Sequence, residues 1–207
     1  MASADSAVEL PPELPPGTSI DHYRVMRLLG RGGMGEVYVA RDTKLGRKVA
    51  LKIVLPHVLR SQGEKERFFF EARATAALNH PHIVTIYGTG EFMDRPYVAL
   101  EYLEGQNLRV RARERALSLP ETLRFGRAIA LALAHAHENG ILHRDLKPAN
   151  VVIARDGRIR VVDFGLAKVV EDDVADEDGP SFIPGLTQLQ QSGEDTWTAG
   201  TPTYMAP

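Results

Sequence analysis

The sequence predicts an α+β chain in two unlike halves. Three observations carry this. Short alternating apolar runs separated by tight turns crowd the first hundred residues. One long helical pattern opens the second half. Two further short strands follow it around an Asp-Gly turn. With 207 residues, 43% hydrophobic and 25% charged, the chain has the composition of a globular protein with a domain-sized core. Lys and Arg number 25 and Asp and Glu 27, a net charge of −2 that argues against a general nucleic-acid binder. Cysteine is absent, which excludes a disulfide scaffold, a thiolate zinc site and a cysteine nucleophile, and fits a reducing, cytoplasmic setting. No apolar run reaches the ~18 residues of a membrane span. The opening Met1-Ala2-Ser3-Ala4 has neither the basic nor the apolar part of a secretory signal.

Residues 1–22 read as a disordered, Pro-rich leader carrying Pro11-Pro12 and Pro15-Pro16-Gly17. Order is expected from Tyr23. Strands are read at 23–29, at 36–40 after the turn Gly30-Arg31-Gly32-Gly33-Met34-Gly35, and at 48–54. A helix over 64–78 is closed by Asn79 and Pro81, and strands follow at 83–87 and 96–102. Pro120 then opens a helix running to Asn139, with Gly140 as the residue that stops it. Its leucines Leu123, Leu131 and Leu133, with Ile129, point round much of the circumference, so both faces are expected to pack. Strands at 151–154 and 159–162 flank Asp156-Gly157. No regular element is read beyond Lys168, and no repeat is present.

Gly30-x-Gly32-x-x-Gly35-x-Val37 is a glycine-rich loop, whose backbone amides can approach phosphate oxygens without Cβ interference. Hairpins also favour glycine, so the loop alone is ambiguous. A dinucleotide site requires a helix directly after the glycines and an acid ~20 residues on. Here a strand pattern follows, and residues 43–63 hold no acid. No Gly-Lys-Ser/Thr is present, which removes the P-loop reading. In Val49-Ala50-Leu51-Lys52, Ala50 and Lys52 share one strand face and place an ammonium beneath the glycines. Glu71 shares a helix face with Phe68 and Leu78 and needs a cationic partner, for which Lys52 is the natural candidate.

His143-Arg144-Asp145-Leu146-Lys147-Pro148-Ala149-Asn150 lies between a helix end and a strand. Asp145 can take a proton, Lys147 can neutralise a phosphoryl group, and Asn150 offers an oxygen to a metal; His143 supports the loop. Asp163-Phe164-Gly165 sets a carboxylate at the mouth of a buried strand, where it suits Mg²⁺. The pairs His80/His82 and His135/His137 are poor metal sites, since positions i and i+2 of a helix face apart.

Taken in order, these segments resemble the eukaryotic-like (Hanks-type) serine/threonine protein kinases, and Gly30–Tyr38 is most similar to the bacterial branch. The resemblance implies a bilobal kinase-like fold: an antiparallel five-stranded N-lobe with one helix over 23–103, and an incomplete helical C-lobe over 104–207, with 168–199 disordered. It implies ATP and Mg²⁺ as cofactors. Gly30, Arg31, Gly32, Gly33, Gly35 and Val37 would cover the nucleotide. Ala50, Leu100, Glu101 and Leu103 would surround adenine, with Leu100 as gatekeeper. Lys52 would hold the α- and β-phosphates and pair with Glu71. Asp145 would orient the acceptor hydroxyl, Lys147 would favour Ser/Thr over Tyr, and Asn150 and Asp163 would bind Mg²⁺. Partners would be protein substrates bearing Ser or Thr, with no nucleic acid and no membrane segment in this chain, although a longer parent could be membrane-anchored.

Gly200-Thr201-Pro202-Thr203-Tyr204-Met205-Ala206-Pro207 resembles the end of a kinase activation segment, one residue short of the Glu of Ala-Pro-Glu. The resemblance therefore implies a truncated catalytic domain, poorly stable and weakly active by itself. Thr196 and Thr198 are candidate autophosphorylation sites, and Arg144 a candidate partner for their phosphates. The acidic run Glu171–Asp178 reads as a solvated insert, or as an electrostatic modulator. A non-catalytic, ATP-binding regulatory fragment is the alternative reading.

Overall fold

The computed structural model describes residues 12–59 and 61–164. The expectations for 1–11, the acidic run, Thr196, Thr198 and the Gly200–Pro207 stretch lie outside the described residues.

Order begins earlier than the sequence suggested. Strand β1, Ser19–Ile20, pairs antiparallel with β2, Tyr23–Arg31. Ile20 is wholly buried, the Leu14 amide donates to the Tyr38 hydroxyl at 3.1 Å, and Tyr97 donates to Asp21. The prolines therefore precede a short edge strand that covers one end of the sheet. This sixth strand is the addition to the five expected.

β2 runs back through β3, Gly35–Asp42, to β4, Arg47–Val54, as the meander the alternation predicts. Helix α1, Gln62–Ala76, follows. It starts at a capping box in which the Ser61 hydroxyl accepts the Glu64 amide and the Glu64 carboxylate accepts the Ser61 amide. The helix begins two residues before the predicted start because Gln62 and Gly63 extend it back to that cap.

β5, Ile86–Phe92, and β6, Arg95–Glu101, complete a sheet of order β1-β2-β3-β4-β6-β5. The strand expected at 83–87 starts three residues later. Ile83 and Val84 instead join the second half, with the Val84 amide donating to Val161 O at 3.0 Å. Met93 and Asp94, at φ +50° and +59°, form the hairpin turn between β5 and β6. β6 lies between β4 and β5, and six of its seven residues are buried, so both faces of the sheet are covered at its centre.

A second small sheet joins β7, Gly105–Asn107, to β8, Val151–Ala154, and β9, Ile159–Val161. Between them lie α2, Leu108–Glu114, and α3, Leu119–Glu138. α2 and β7 were not legible in the sequence, being one short helix and three residues of strand. α3 carries a second capping box, Ser118 with Glu121. The Ser118 amide and hydroxyl, then Arg111, pull the Glu121 carboxyl down to about 2. At its other end Gly140 takes φ +73°, a left-handed stop that lets the Gly140 and Ile141 amides satisfy the His137 and Ala136 carbonyls.

α3 buries Phe125, Ala128, Ala132 and Ala136. Leu123 and Leu131, expected to pack, are 64% and 40% exposed. The small alanines allow close approach to β9 and the Ile83 loop, so this stripe faces the interior; Ile129 and Leu133 pack beside it as expected, and Leu123 and Leu131 point outward. Among the described residues no helix is long and apolar enough to cross a membrane.

Candidate functional site

The site is built where one face of the large sheet, at its interior strands β4 and β6, meets the segment that follows β9. On β4, Val49, Leu51 and Ile53 are wholly buried on one face. Ala50 and Lys52 lie on the other, as the alternation requires. Lys52 stands in register between Val37 on β3 and Val98 on β6, and Ala50 between Val39 and Leu100. Leu100 and Val98 are buried with Phe68, Ala72 and Val84, and Ala50, Leu103 and Val162 pack against them. The Glu101 amide donates to Thr85 O at 2.8 Å, and the Glu101 carboxylate lies 3.7 Å from Arg160.

Two residues before Val37 the β2–β3 hairpin turns through its glycines, with Gly35 opposite Val54. Gly32 and Gly35 are joined by backbone hydrogen bonds of 2.9 and 3.4 Å. Gly35 is demanded by packing, because a Cβ there would sit 2.6 Å from Ile53 O. Gly30, Gly32 and Gly33 are different: a Cβ at any of them would meet nothing within 4 Å. Turn sterics account for one glycine, and open space lies over the other three. Arg31, expected to face a nucleotide, is engaged with the buried Glu36 carboxylate.

Glu36 was not singled out by the sequence. It is wholly buried, with Arg31 on one carboxylate oxygen and Arg95 on the other at 2.7 Å. Arg95 also donates from Nε to Val54 O at 2.9 Å. Glu36 belongs to a strand-like alternation that gives no sign of burial; only the remote Arg95 explains it.

The segment after α3 is fixed by His143. Its Nε2–H donates to Val162 O at 2.9 Å, its Nδ1 accepts the Asp145 amide at 3.3 Å, and its ring packs 4.6 Å from Phe164. Burial pushes its pKa down, so the imidazole is held neutral in the tautomer these bonds require. The expected supporting role matches this geometry. Arg144 and Asp163 take φ +63° and +62°, left-handed values uncommon outside glycine.

Asp145 Oδ2 meets Lys147 Nζ at 2.7 Å and Asn150 Nδ2 at 3.2 Å, and Asn150 Nδ2 also donates to Asp145 O at 2.9 Å. Asn150 is buried, and its carbonyl accepts the Val162 amide at 2.9 Å. The loop and the Asp163 segment are thus held side by side. Lys52 Nζ contacts Asp163 Oδ1 at 2.7 Å across 111 residues of sequence.

The expected Lys52–Glu71 pair is corrected. Among the described residues Lys52 pairs with Asp163, and Glu71 lies 3.6 Å from Arg144 Nη1. The left-handed backbone at Arg144 turns its guanidinium toward α1. There Glu71, Phe70 and Thr75 border a cleft with Gly140, Ile141 and Leu142. Arg144, expected to meet a phosphate, is placed against α1 by the same geometry.

A second omission is Gly105. A Cβ there would lie 1.9 Å from Ile153 O, so β7 can approach β8 only as glycine. The histidines form an arrangement not expected. His80 stacks on His135 at 5.2 Å and lies 5.5 Å from His82. No group of three His, Asp or Glu among the described residues suits a metal ion.

A glycine-rich hairpin next to a sheet lysine, that lysine on a carboxylate just past β9, and an Asp-x-Lys-x-x-Asn loop define the protein kinase class. The protein kinase domain model matches residues 23–207, and the chain belongs to that family. Within it, the chain stands with the bacterial serine/threonine kinases. It is 40% identical over 190 residues to the probable serine/threonine-protein kinase SCO3848 of Streptomyces coelicolor, covering 89% of this chain and 26% of that one. It is 38% identical to the serine/threonine-protein kinase PknF of Mycobacterium tuberculosis, covering 92% of this chain and 38% of that one. The crystal structure of the Mycobacterium tuberculosis PknI kinase domain superposes with a TM-score of 0.69 at 36% identity, over 75% of this chain and 64% of that one. The chain therefore spans roughly a fifth to two fifths of the curated relatives' length. Kinases of this family use ATP and Mg²⁺.

Proposed function

We propose that the chain is the ATP-binding and catalytic part of a cytoplasmic serine/threonine protein kinase that transfers the γ-phosphate of ATP to protein Ser or Thr hydroxyls. The observation that carries this is the 2.7 Å contact between Lys52 and Asp163. It joins a cation of the large sheet to an acid two residues past β9, beside the Asp145 loop.

In this reading residues 23–103 form the lobe that covers the nucleotide and 104–207 part of the lobe that holds the acceptor. Gly30, Gly32 and Gly33, with open space at each, admit phosphate to the backbone. Gly35 and Val37 keep the hairpin in register over Lys52. Ala50, Leu100 and Leu103 supply an apolar wall for adenine beside Glu101.

The donor set fits the cofactors: an ammonium, a carboxylate and a buried amide on adjoining segments. Asn150 and Asp163 would hold Mg²⁺, which when bound neutralises charge on phosphate oxygens. Asp145 accepts the proton of the attacking hydroxyl, and Lys147, 2.7 Å from its carboxylate, balances the charge that develops beside it. Asn150 holds the Asp145 backbone and carboxylate together, which fixes the carboxylate's direction. His143, neutral and doubly bonded, positions the Asp145 amide. Glu71 acts as a positioning residue for Lys52 only after leaving Arg144. Thr196 and Thr198 are the proposed autophosphorylation sites.

The Glu71–Arg144 contact also favours a second reading, a non-catalytic ATP-binding module. One experiment separates the two. Purified protein is mixed with radiolabelled ATP, Mg²⁺ and a general Ser/Thr substrate protein. Transfer that falls ~10²–10⁴-fold in Asp145→Asn while ATP affinity holds supports the kinase. ATP binding with no transfer above that variant supports the module and rejects the kinase.

A further inference from the structure

Charge is distributed unevenly over the second half. Residues 108–127, spanning α2 and the start of α3, hold six arginines and two glutamates. Of these, Arg111 and Arg115 both reach Glu121, at 2.8 and 3.2 Å. Those contacts clamp the end of α2 against the start of α3. Arg109 and Arg113, four apart and so on one face of α2, are exposed and make no ion pair among the described residues. Arg124 and Arg127, three apart on α3, are exposed in the same way. Like charges at this spacing repel, so the elbow carries a standing electrostatic cost that an anion would relieve.

The complementary charge is in the same chain. Glu171, Asp172, Asp173, Asp176, Glu177 and Asp178 place six acids in eight residues. The reach is adequate. α2 packs against the Pro148–Asn150 turn, and the Asn150 carbonyl is bonded to Val162, two residues before Phe164. From Phe164, seven residues to Glu171 extend up to ~24 Å and fourteen to Asp178 up to ~48 Å. α2 itself is only ~10 Å long. A tethered segment also meets its site at an effective concentration near the millimolar range.

We propose that the α2–α3 arginine elbow is a docking surface, and that its occupant is the chain's own acidic run, 171–178, bound in cis. Arginine suits this, since its planar guanidinium takes carboxylates two bonds at a time. The contact is salt-sensitive, because the four arginines are solvent-exposed. It ties the segment after Asp163 to the far side of the Asp145 loop. The inference concerns binding alone and stands or falls independently of phosphate transfer.

The test uses a fluorescein-labelled peptide of sequence 171–178 and anisotropy against the whole chain. The comparison protein carries Glu171→Gln, Asp172→Asn, Asp173→Asn, Asp176→Asn, Glu177→Gln and Asp178→Asn. The neutralised chain is expected to bind the peptide at least threefold more tightly than the wild type, whose elbow is already filled. Arg109→Glu with Arg113→Glu in the neutralised chain is expected to weaken binding at least fivefold, as is a rise from 50 to 300 mM salt. Arg124→Gln with Arg127→Gln repeats the reading from the second helix, should the first pair disturb α2. Equal affinity for the wild-type and neutralised chains overturns the proposal, and so does indifference to both arginine pairs. A wild-type dimer that neutralisation dissolves overturns it in favour of docking between copies. Equal binding of a single-stranded RNA oligonucleotide to both chains overturns it in favour of an open anion surface.

Discussion

Arg95→Met is the sharpest test of how the glycine hairpin is held. Arg95 Nη2 meets Glu36 at 2.7 Å, and its Nε meets Val54 O at 2.9 Å. Glu36 is wholly buried and Val54 is 4% exposed, so water replaces neither contact. Removing one partner of a buried ion pair costs about 3–5 kcal/mol, because a charge is left uncompensated. Arg31 still holds the other Glu36 oxygen, which argues for the low end, ~3 kcal/mol. The Val54 carbonyl loses its side-chain donor, about 1 kcal/mol more. For a chain of this length each kcal/mol moves Tm by about 2–4 °C, so the expected fall is on the order of 10 °C. Thermal unfolding followed by far-UV circular dichroism reads the fall, and urea unfolding reads the free-energy loss, with m unchanged. Glu36→Met combined with Arg95→Met should be less damaging than Arg95→Met alone, since the orphaned charge goes with its partner. A loss below ~1 kcal/mol for the single variant, or a double variant as costly as the two singles added, would refute the argument.

Three further expectations follow from the site. Lys52→Met should lower transfer ~10²–10³-fold with Tm moved only slightly, in a steady-state kinase assay; unchanged kcat would remove Lys52 from the phosphate site. Gly105→Ala drives a Cβ into Ile153 O, and backbone displacement on this scale costs about 1–3 kcal/mol by urea unfolding; a neutral result would mean β7 is free to move off β8. Burial lowers the pKa of His143, and burial with neighbouring histidines lowers that of His80. The unfolded chain therefore binds these protons first, so stability is full above about pH 6.5 and declines as pH falls through the depressed folded values. His143→Gln should flatten part of the decline between pH 7 and 5.5 in urea titrations, and an identical pH slope would exclude it as a source.

Most of the site could be read directly. Lys52 belongs to a strand whose period of two fixes which face it shares with Ala50. Asp145, Lys147 and Asn150 lie within six residues, so one local turn is enough to gather them. Gly140 and the Ser118 cap are likewise local, set by a left-handed φ and a three-residue hydrogen bond. What escaped the sequence depends on a distant partner. Glu71 was matched to Lys52 because both needed an opposite charge, and only the left-handed turn at Arg144 shows which cation reaches it.

The sequence by itself determined the elements, their order and the chemistry on offer, because periodicity, caps and turn residues act over a few neighbours. The tertiary structure alone decided which charges meet. Glu36 finds Arg95 59 residues away and Lys52 finds Asp163 111 residues away. Packing also set which face of α3 goes inward, where alanines rather than leucines permit close approach. Ion pairing and close packing depend on distance in space, which the fold creates and the order of residues does not contain.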